Sequence, residues 1–402
     1  MALPQNFIDA IAVFKQMYLP AWGNLIGTEA SPLMSKIKTY PITGGGDIKA
    51  VAQIGFNGGF GSLPDDLKAP QAGRNIYQDF TEKRKRMAVT LNISDEAIQA
   101  SKNEKLAMVN LLDQEIKAGY EAAKWNVGRM IFGNGDGILS PIAKIAGNTV
   151  TLPDDGTERP ENIKEGLTID IYTKGAAVGT TPSYEKRRII SVNRSAKPVT
   201  FTIDGGAIDQ TDGFVTIQMS YGNEITGLGA IFDDSIETLY GVKKSDVPLI
   251  KPIVADAEGD INDSMITRVL RLAQREKGAN IDMILMGDDA YDHYVEYLRV
   301  NNLRNEKADL TITGGFSAID FRFGNGQVAI VNEGFVPKNE AWGFDTKALG
   351  FYQLGEWDFI SEGGSAFTLM PGTLVYNAVI AKYGNLICTN PGGCVRITNA
   401  SA

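Results

Sequence analysis

The chain of 402 residues carries 48 acidic and 39 basic residues, a formal net charge of −9. That length serves two or three domains with cores of their own, and that sign of charge excludes a dedicated nucleic-acid binder, leaving only weak, delocalised contact with such a polymer. The 44 glycines exceed the usual share and point to many tight turns and much β-structure. No apolar run reaches the roughly 18 to 20 residues of a membrane span. MALPQNFIDAIAVFKQMYLP reads as a short amphipathic segment and lacks the pattern of a secretion signal, so a cytoplasmic site is expected.

Residues 1 to 45 alternate short apolar clusters with Pro4, Pro20, Pro32 and Pro41, which would break any long helix or central strand. The segment reads as an arm that leans on something else. From 48 to 56 every even position is apolar (Ile48, Ala50, Ala52, Ile54, Phe56), and from 87 to 93 the odd positions Met87, Val89, Leu91 and Ile93 are. The alternation predicts two paired strands, each with one greasy face. About thirty residues lie between them, where a hairpin loop usually has two to five. An excursion of that length is either disordered or held by a partner.

Ser94 is positioned as an N-cap, with Asp95 and Glu96 toward the positive end of a helix dipole. Leu106, Val109, Leu112, Ile116, Tyr120, Ala123, Val127 and Ile131 follow at steps of three or four, while Asn110, Gln114, Lys117, Glu121 and Lys124 form a polar side. The spacing predicts one amphipathic helix from about residue 95 to the glycines of FGNGDG, roughly 55 Å long. Residues 138 to 226 change character: VTL, LTIDIY, RRIISV, VTFTI and FVTIQMS are β-branched runs separated by glycine- and aspartate-rich turns, a small antiparallel barrel or sandwich. Further on, Asn262 caps a predicted helix through Ala279, NIDMILMG is a strand, and DDAYDHYVEYLRVNN is a second helix. Strands and turns from Thr311 onward complete a mixed α+β region.

Motifs for chemistry are sparse. The single histidine, His293, excludes every two-histidine metal site; Asp289, one helical turn before it, makes a carboxylate–imidazole pair conceivable, yet no nucleophile accompanies it. The glycine clusters lack the lysine or helix start of a phosphate cradle. Asn134 and Asp136 could offer oxygen ligands to calcium, but Ile145 stands where a bidentate glutamate would be needed. The adjacent pairs Asp65–Asp66 and Asp154–Asp155 read as solvated turn acids. Cys388 and Cys394 flank the turn TNPGG, where a hairpin could set them opposite each other; two thiols in a cytoplasmic chain are usually reduced and structural. The basic run Lys83, Arg84, Lys85 and Arg86 is the strongest positive patch. It reads equally as a solvated strand end that guards an edge and as a contact to an acidic neighbour, with a nucleic-acid role third.

The order of elements resembles a tailed-phage major capsid protein of the Hong Kong 97-type fold, over nearly the whole chain and more by order and spacing than by a short signature. The segments that carry the resemblance are GDIKAVAQIGFNGGFG with NIYQDFTEKRKRMAVTLNIS, the helix to about residue 132 with the GNGDGIL that follows, NIDMILMGDDAYDHYVEYL, VAIVNEGFVPKNEAWGFD, and TLVYNAVIAKYGNLICTNPGGCVRI. The resemblance implies an α+β fold with an N-terminal arm (1–45), an extended β-hairpin loop (46–93), a peripheral-domain spine helix (94–137), an inserted small β-barrel domain (138–226), and an axial domain with strands returning to the periphery (227–402).

The implied function is a non-enzymatic shell subunit, without cofactor or metal, whose hexamers and pentamers form an icosahedral head around double-stranded DNA. Such a subunit is assembled in a bacterial host's cytoplasm and kept in the virion. A separate scaffolding protein, a portal and weak contact with packaged DNA come with it, and no membrane. Expected contacts between copies lie at the loop tip, Leu63, Pro64, Asp65, Asp66, Leu67 and Lys68, and at the basic run Lys83, Arg84, Lys85 and Arg86. Some relatives cross-link a loop lysine to a neighbour's asparagine; Lys68 is the only lysine near the tip, but the acid and the asparagine have no match. The alternatives are an encapsulin-like protein compartment and a β-rich adhesin or carbohydrate-binding protein, the latter displaying tyrosines and tryptophans that otherwise pack a core.

Overall fold

The computed structural model describes residues 31–42, 46–53, 58–62, 71, 73–96, 105–155, 158–259, 261–301, 318–324, 326–360, 367–370 and 372–400. The chain divides into two units, Met1–Gly128 with Ala230–Ala402, and Arg129–Gly229. Among the described residues no helix is long and apolar enough to cross a membrane.

The first unit holds two six-stranded sheets. The first is organised by the 14-residue strand Val375–Cys388, which pairs antiparallel with Leu349–Gln353, Asp358–Phe359, Thr368–Leu369 and Lys85–Ser94. Helix α1, Lys105–Phe132, supplies apolar positions at helical spacing, and Ile116, Tyr120 and Ala123 are buried while Gln114, Lys117 and Glu121 are exposed. Gly119 marks the close approach of helix to strand: a Cβ there would stand 2.7 Å from Leu91 Cδ2 and 3.2 Å from Val89 Cγ1.

The second sheet runs Ile253–Asp256, Val395–Thr398, Ala341–Phe344, Met283–Met286, Gly326–Asn332, Ile319–Phe323. Helices α2, Asp263–Lys277, and α3, Asp288–Val300, contribute Ile266, Val269, Leu270 and Tyr294 to a common core with Ile284 and Ile330. Asn262 caps α2 as its sequence predicts, its Oδ1 accepting the Met265 N–H at 2.9 Å.

The second unit is a closed six-stranded barrel in the order Ile208–Ile217, Ile138–Gly147, Thr149–Thr151, Thr200–Ile203, Tyr184–Asn193, Thr168–Thr173. Leu139, Ile142, Val150, Ile169, Phe201 and Val215 are among the side chains that fill it, and closure leaves no edge to blunt. Two buried polar groups support it. Asp170 accepts the N–H groups of Lys186 and Met219, each at 2.9 Å. Both donors have positive φ, 52° and 60°, so one carboxylate steadies an irregular point within the strand Tyr184–Asn193 and a turn at Met219, each in an unfavourable region. Arg129 and Glu224 form an ion pair almost wholly out of solvent.

The structure corrects two readings of the sequence, the pairing of the first strand and the support of the arm, and describes the long helix in part. The strand over 48–56 does not pair with 87–93: Ile48–Gln53 pairs with Tyr77–Glu82, while Lys85–Ser94 joins the first sheet. The described part of the long helix is 28 residues, about 42 Å. Ser94 ends its strand opposite Val375 and Asp95 and Glu96 are helical directly after it, where the sequence places the helix start; residues 97–104 lie outside the described residues. The described stretch of the arm packs on its own chain: Lys38–Pro41 runs parallel to Leu349–Gln353, the Tyr40 and Tyr352 rings stack at 5.1 Å, and Leu33 is fully buried. Pro41 is tolerated because this strand is an edge.

Candidate assembly surface

The antiparallel ribbon of Ile48–Gln53 and Tyr77–Glu82 is a sheet of two strands, with Ile48 opposite Glu82 and Gln53 opposite Tyr77. Period-two alternation puts Ile48, Ala50, Ala52 and Phe80 on a buried face. The opposite face is wet: Lys49 and Asp79 are exposed, and Val51 is 60% exposed. Toward the far end Ile76 and Tyr77 are 56% and 57% exposed, and Phe60 is 92% exposed. Two strands alone are marginal in water, so the ribbon depends on what its inner face meets.

It meets a clamp that the sequence reading did not single out. Thr238–Leu239 and Val242–Lys243 form a two-residue hairpin whose turn residues Tyr240 and Gly241 both have positive φ, 51° and 77°, the geometry of the tight turns that suit strand twist. The Tyr240 carbonyl accepts the Thr81 N–H at 2.9 Å, its ring lies 5.6 Å from that of Phe80, and its hydroxyl accepts the Cys388 N–H at 3.3 Å. Full burial drives the Tyr240 phenol pKa well above the ordinary value, with Cys388 adding to the effect, so the ring stays a neutral spacer. The one signal for this clamp was the Tyr-Gly dipeptide between short β-branched runs in ETLYGVK.

At its near end the ribbon turns directly into the basic run. The Lys83 carbonyl accepts Asn385 Nδ2 at 2.9 Å from inside the long strand, and Asn385 itself is fully buried. Lys85 and Arg86 stand opposite Gly384 and Tyr383, so they begin a ten-residue strand that, among the described residues, is paired along its length on one side only. Lys83 and Arg86 are exposed; Arg84 and Lys85 are half-buried. The expected tip residues Leu63, Pro64, Asp65, Asp66, Leu67 and Lys68 lie outside the described residues.

The other candidates separate widely. His293 and Asp289 are exposed on α3. Asn134 Oδ1 and Asp136 Oδ1 accept the N–H groups of Asp136 and Ile138, so both oxygens shape a turn. No cluster of metal-ligating side chains occurs among the described residues. Trp342, Trp357, Tyr294 and Tyr376, which a carbohydrate-binding face would display, are buried. One buried ionisable group has a strongly displaced titration: Glu333, whose Oε2 accepts the Ser31 hydroxyl at 2.6 Å and whose Oε1 accepts the Phe335 N–H at 3.4 Å. Desolvation pushes its carboxyl up to about 7, against the pull of those two bonds, with Asp288 adding to the rise.

No protein-family model matches the chain, and no curated protein sequence matches it. Among solved structures it is similar to the capsid asymmetric unit of cyanophage A-1(L), at 11% identity and a TM-score of 0.51, over 95% of this chain and 92% of that one. The procapsid of satellite phage P4 that includes the size-determination protein is similar at 10% identity and a TM-score of 0.44, covering 96% and 97%. The SrpI encapsulin complex of Synechococcus elongatus PCC 7942 gives 8% identity and a TM-score of 0.44, covering 90% and 85%. The first of these establishes the fold: an α+β phage-capsid architecture carrying a barrel-like insertion.

Proposed function

We propose that this chain is a major capsid protein of the Hong Kong 97 type, a coat subunit without catalytic chemistry whose hexamers and pentamers close an icosahedral shell around double-stranded phage DNA. The observation that carries the proposal is the end-to-end correspondence with a phage shell subunit, over 95% of one chain and 92% of the other. In this reading the ribbon with residues 54–76 is the extended loop, α1 the spine helix, and the second sheet with α2 and α3 the axial domain. A two-stranded ribbon with one wet face and apolar side chains near its far end suits a loop that lies on a neighbouring copy. The acidic balance of the chain suits a wall that does not grip its genome. Scaffolding protein, portal and a place in the virion follow from the same reading.

Size-exclusion chromatography with negative-stain imaging tests it. Capsomers or closed particles are expected from the purified full chain; a lone monomer at every concentration would refute the shell. Deleting residues 63 to 72 should leave circular dichroism and solubility unchanged while capsomers and particles disappear. Loss of secondary structure in that variant would instead make the segment part of a core.

A further inference from the structure

We propose that Cys388 and Cys394 are a latent disulfide, closed by a peroxide-class oxidant, that staples the first sheet to the second where the chain crosses between them. Cys388 is the last residue of the long strand of the first sheet, and Cys394 immediately precedes the second-sheet strand Val395–Thr398. The two sulfurs lie 3.7 Å apart and both are buried. A disulfide needs about 2.05 Å, so the sulfurs must close the difference while the backbone already brings them together. That backbone is held on both sides of the turn. Asn390 Oδ1 accepts the Gly393 N–H at 3.2 Å and its Nδ2 donates to the Lys277 carbonyl at 3.2 Å. The Cys394 N–H donates to the Pro391 carbonyl at 3.1 Å, and Cys388 is fixed opposite Leu349.

No other role claims the pair: no metal-ligating cluster includes it among the described residues. Burial disfavours attack by a bulky disulfide reagent, whereas hydrogen peroxide is close to water in size. One thiolate sulfur takes a hydroxyl from the peroxide and becomes a sulfenic acid, with hydroxide leaving. The neighbouring thiolate then attacks that sulfur, the S–S bond forms, and a second hydroxide leaves. The two thiol protons convert both hydroxides to water, so two thiols and one peroxide give one disulfide and two waters. This inference stands on the sheet crossing and is independent of the shell reading.

The test treats the folded full-length chain with hydrogen peroxide, quenches with catalase, denatures, and alkylates with iodoacetamide. Both thiols should be protected, become alkylatable again after dithiothreitol, and stay within a monomeric chain on a non-reducing gel. The oxidised chain should also unfold at a higher temperature than the reduced one. Two alkylatable thiols after treatment, accumulation of sulfinic acid, or disulfide-linked dimers would each overturn the proposal. In Cys394→Ser treated with peroxide in the folded state, dimedone added together with the denaturant should trap a sulfenic acid at Cys388 that the wild-type chain resolves. If that variant does not fold, the thiol count on the wild-type chain decides alone.

Discussion

The barrel and the ribbon are made of the same local material, short alternating strands, and differ in what their edges meet. Each barrel strand is hydrogen-bonded on both sides and points its apolar residues into one closed interior. The ribbon buries one face on the Tyr240 hairpin and presents the other to solvent. Closure makes a strand self-sufficient, whereas an open pair keeps bonding capacity for something outside itself. One chain thus carries a set of strands closed on itself beside a pair that, among the described residues, has no further strand partner.

The sharpest way to break this contrast is to unpair the barrel's buried charge. Arg129→Met leaves Glu224 without its cation in a dry site and should cost about 3 to 5 kcal/mol. Denaturant unfolding followed by hydrogen exchange should show the barrel strands failing together; a loss under 1 kcal/mol would mean that water reaches Glu224. Next in size is Phe80→Ala, which removes the ring that docks the ribbon and should cost about 3 kcal/mol locally. Exchange should quicken across Ile48–Gln53 and Tyr77–Glu82 while the barrel amides keep their protection. Uniform quickening would put the ribbon in a common core.

The smallest effect concerns the docked segment before the ribbon, and it depends on pH. With Glu333 pushed up to about 7 from an unfolded value near 4.5, the folded state holds a proton that the unfolded chain has already released. Its contribution is fully present below pH 4.5 and is lost as the pH rises through 7, at most about 3 kcal/mol in all. Glu333→Gln should flatten that profile and be the more stable protein at pH 8 in thermal unfolding. An unchanged slope between pH 5 and 8 would mean that the carboxyl is ionised beside Ser31.

Much of this was legible from residue pattern. The α2 cap at Asn262, the strand in NIDMILMG, the helix after it and most barrel strands follow from caps, period and turn residues. The ribbon's partner did not, for a physical reason: Tyr77–Glu82 reads YQDFTE, with Phe80 its one buried side chain, so its hydrophobic alternation is nearly silent. The stronger alternation at Met87, Leu91 and Ile93 belongs to a strand whose partner lies some three hundred residues on. Barrel strand Ile138–Gly147 was hidden by Pro141 within ILSPIAKIAG. The supporting polar groups Asp170, Glu224 and Asn385 left no local trace, because their partners are assembled only by the fold. The expected contacts split the same way, the basic run sitting at a defined corner beside Asn385 and the tip lying outside the described residues.

The glycines at the foot of the barrel have a practical corollary. A Cβ on Gly227 would fall 2.4 Å from the carbonyl oxygens of Gly133 and Met130, and the Leu228 N–H donates to the Ile131 carbonyl at 2.7 Å. The incoming and outgoing chains therefore run side by side, so the whole barrel is spliced in through a single narrow stem. Such a stem is a ready-made graft point: a foreign domain whose own termini are neighbours could replace the barrel without asking the host sheets to accommodate any new separation.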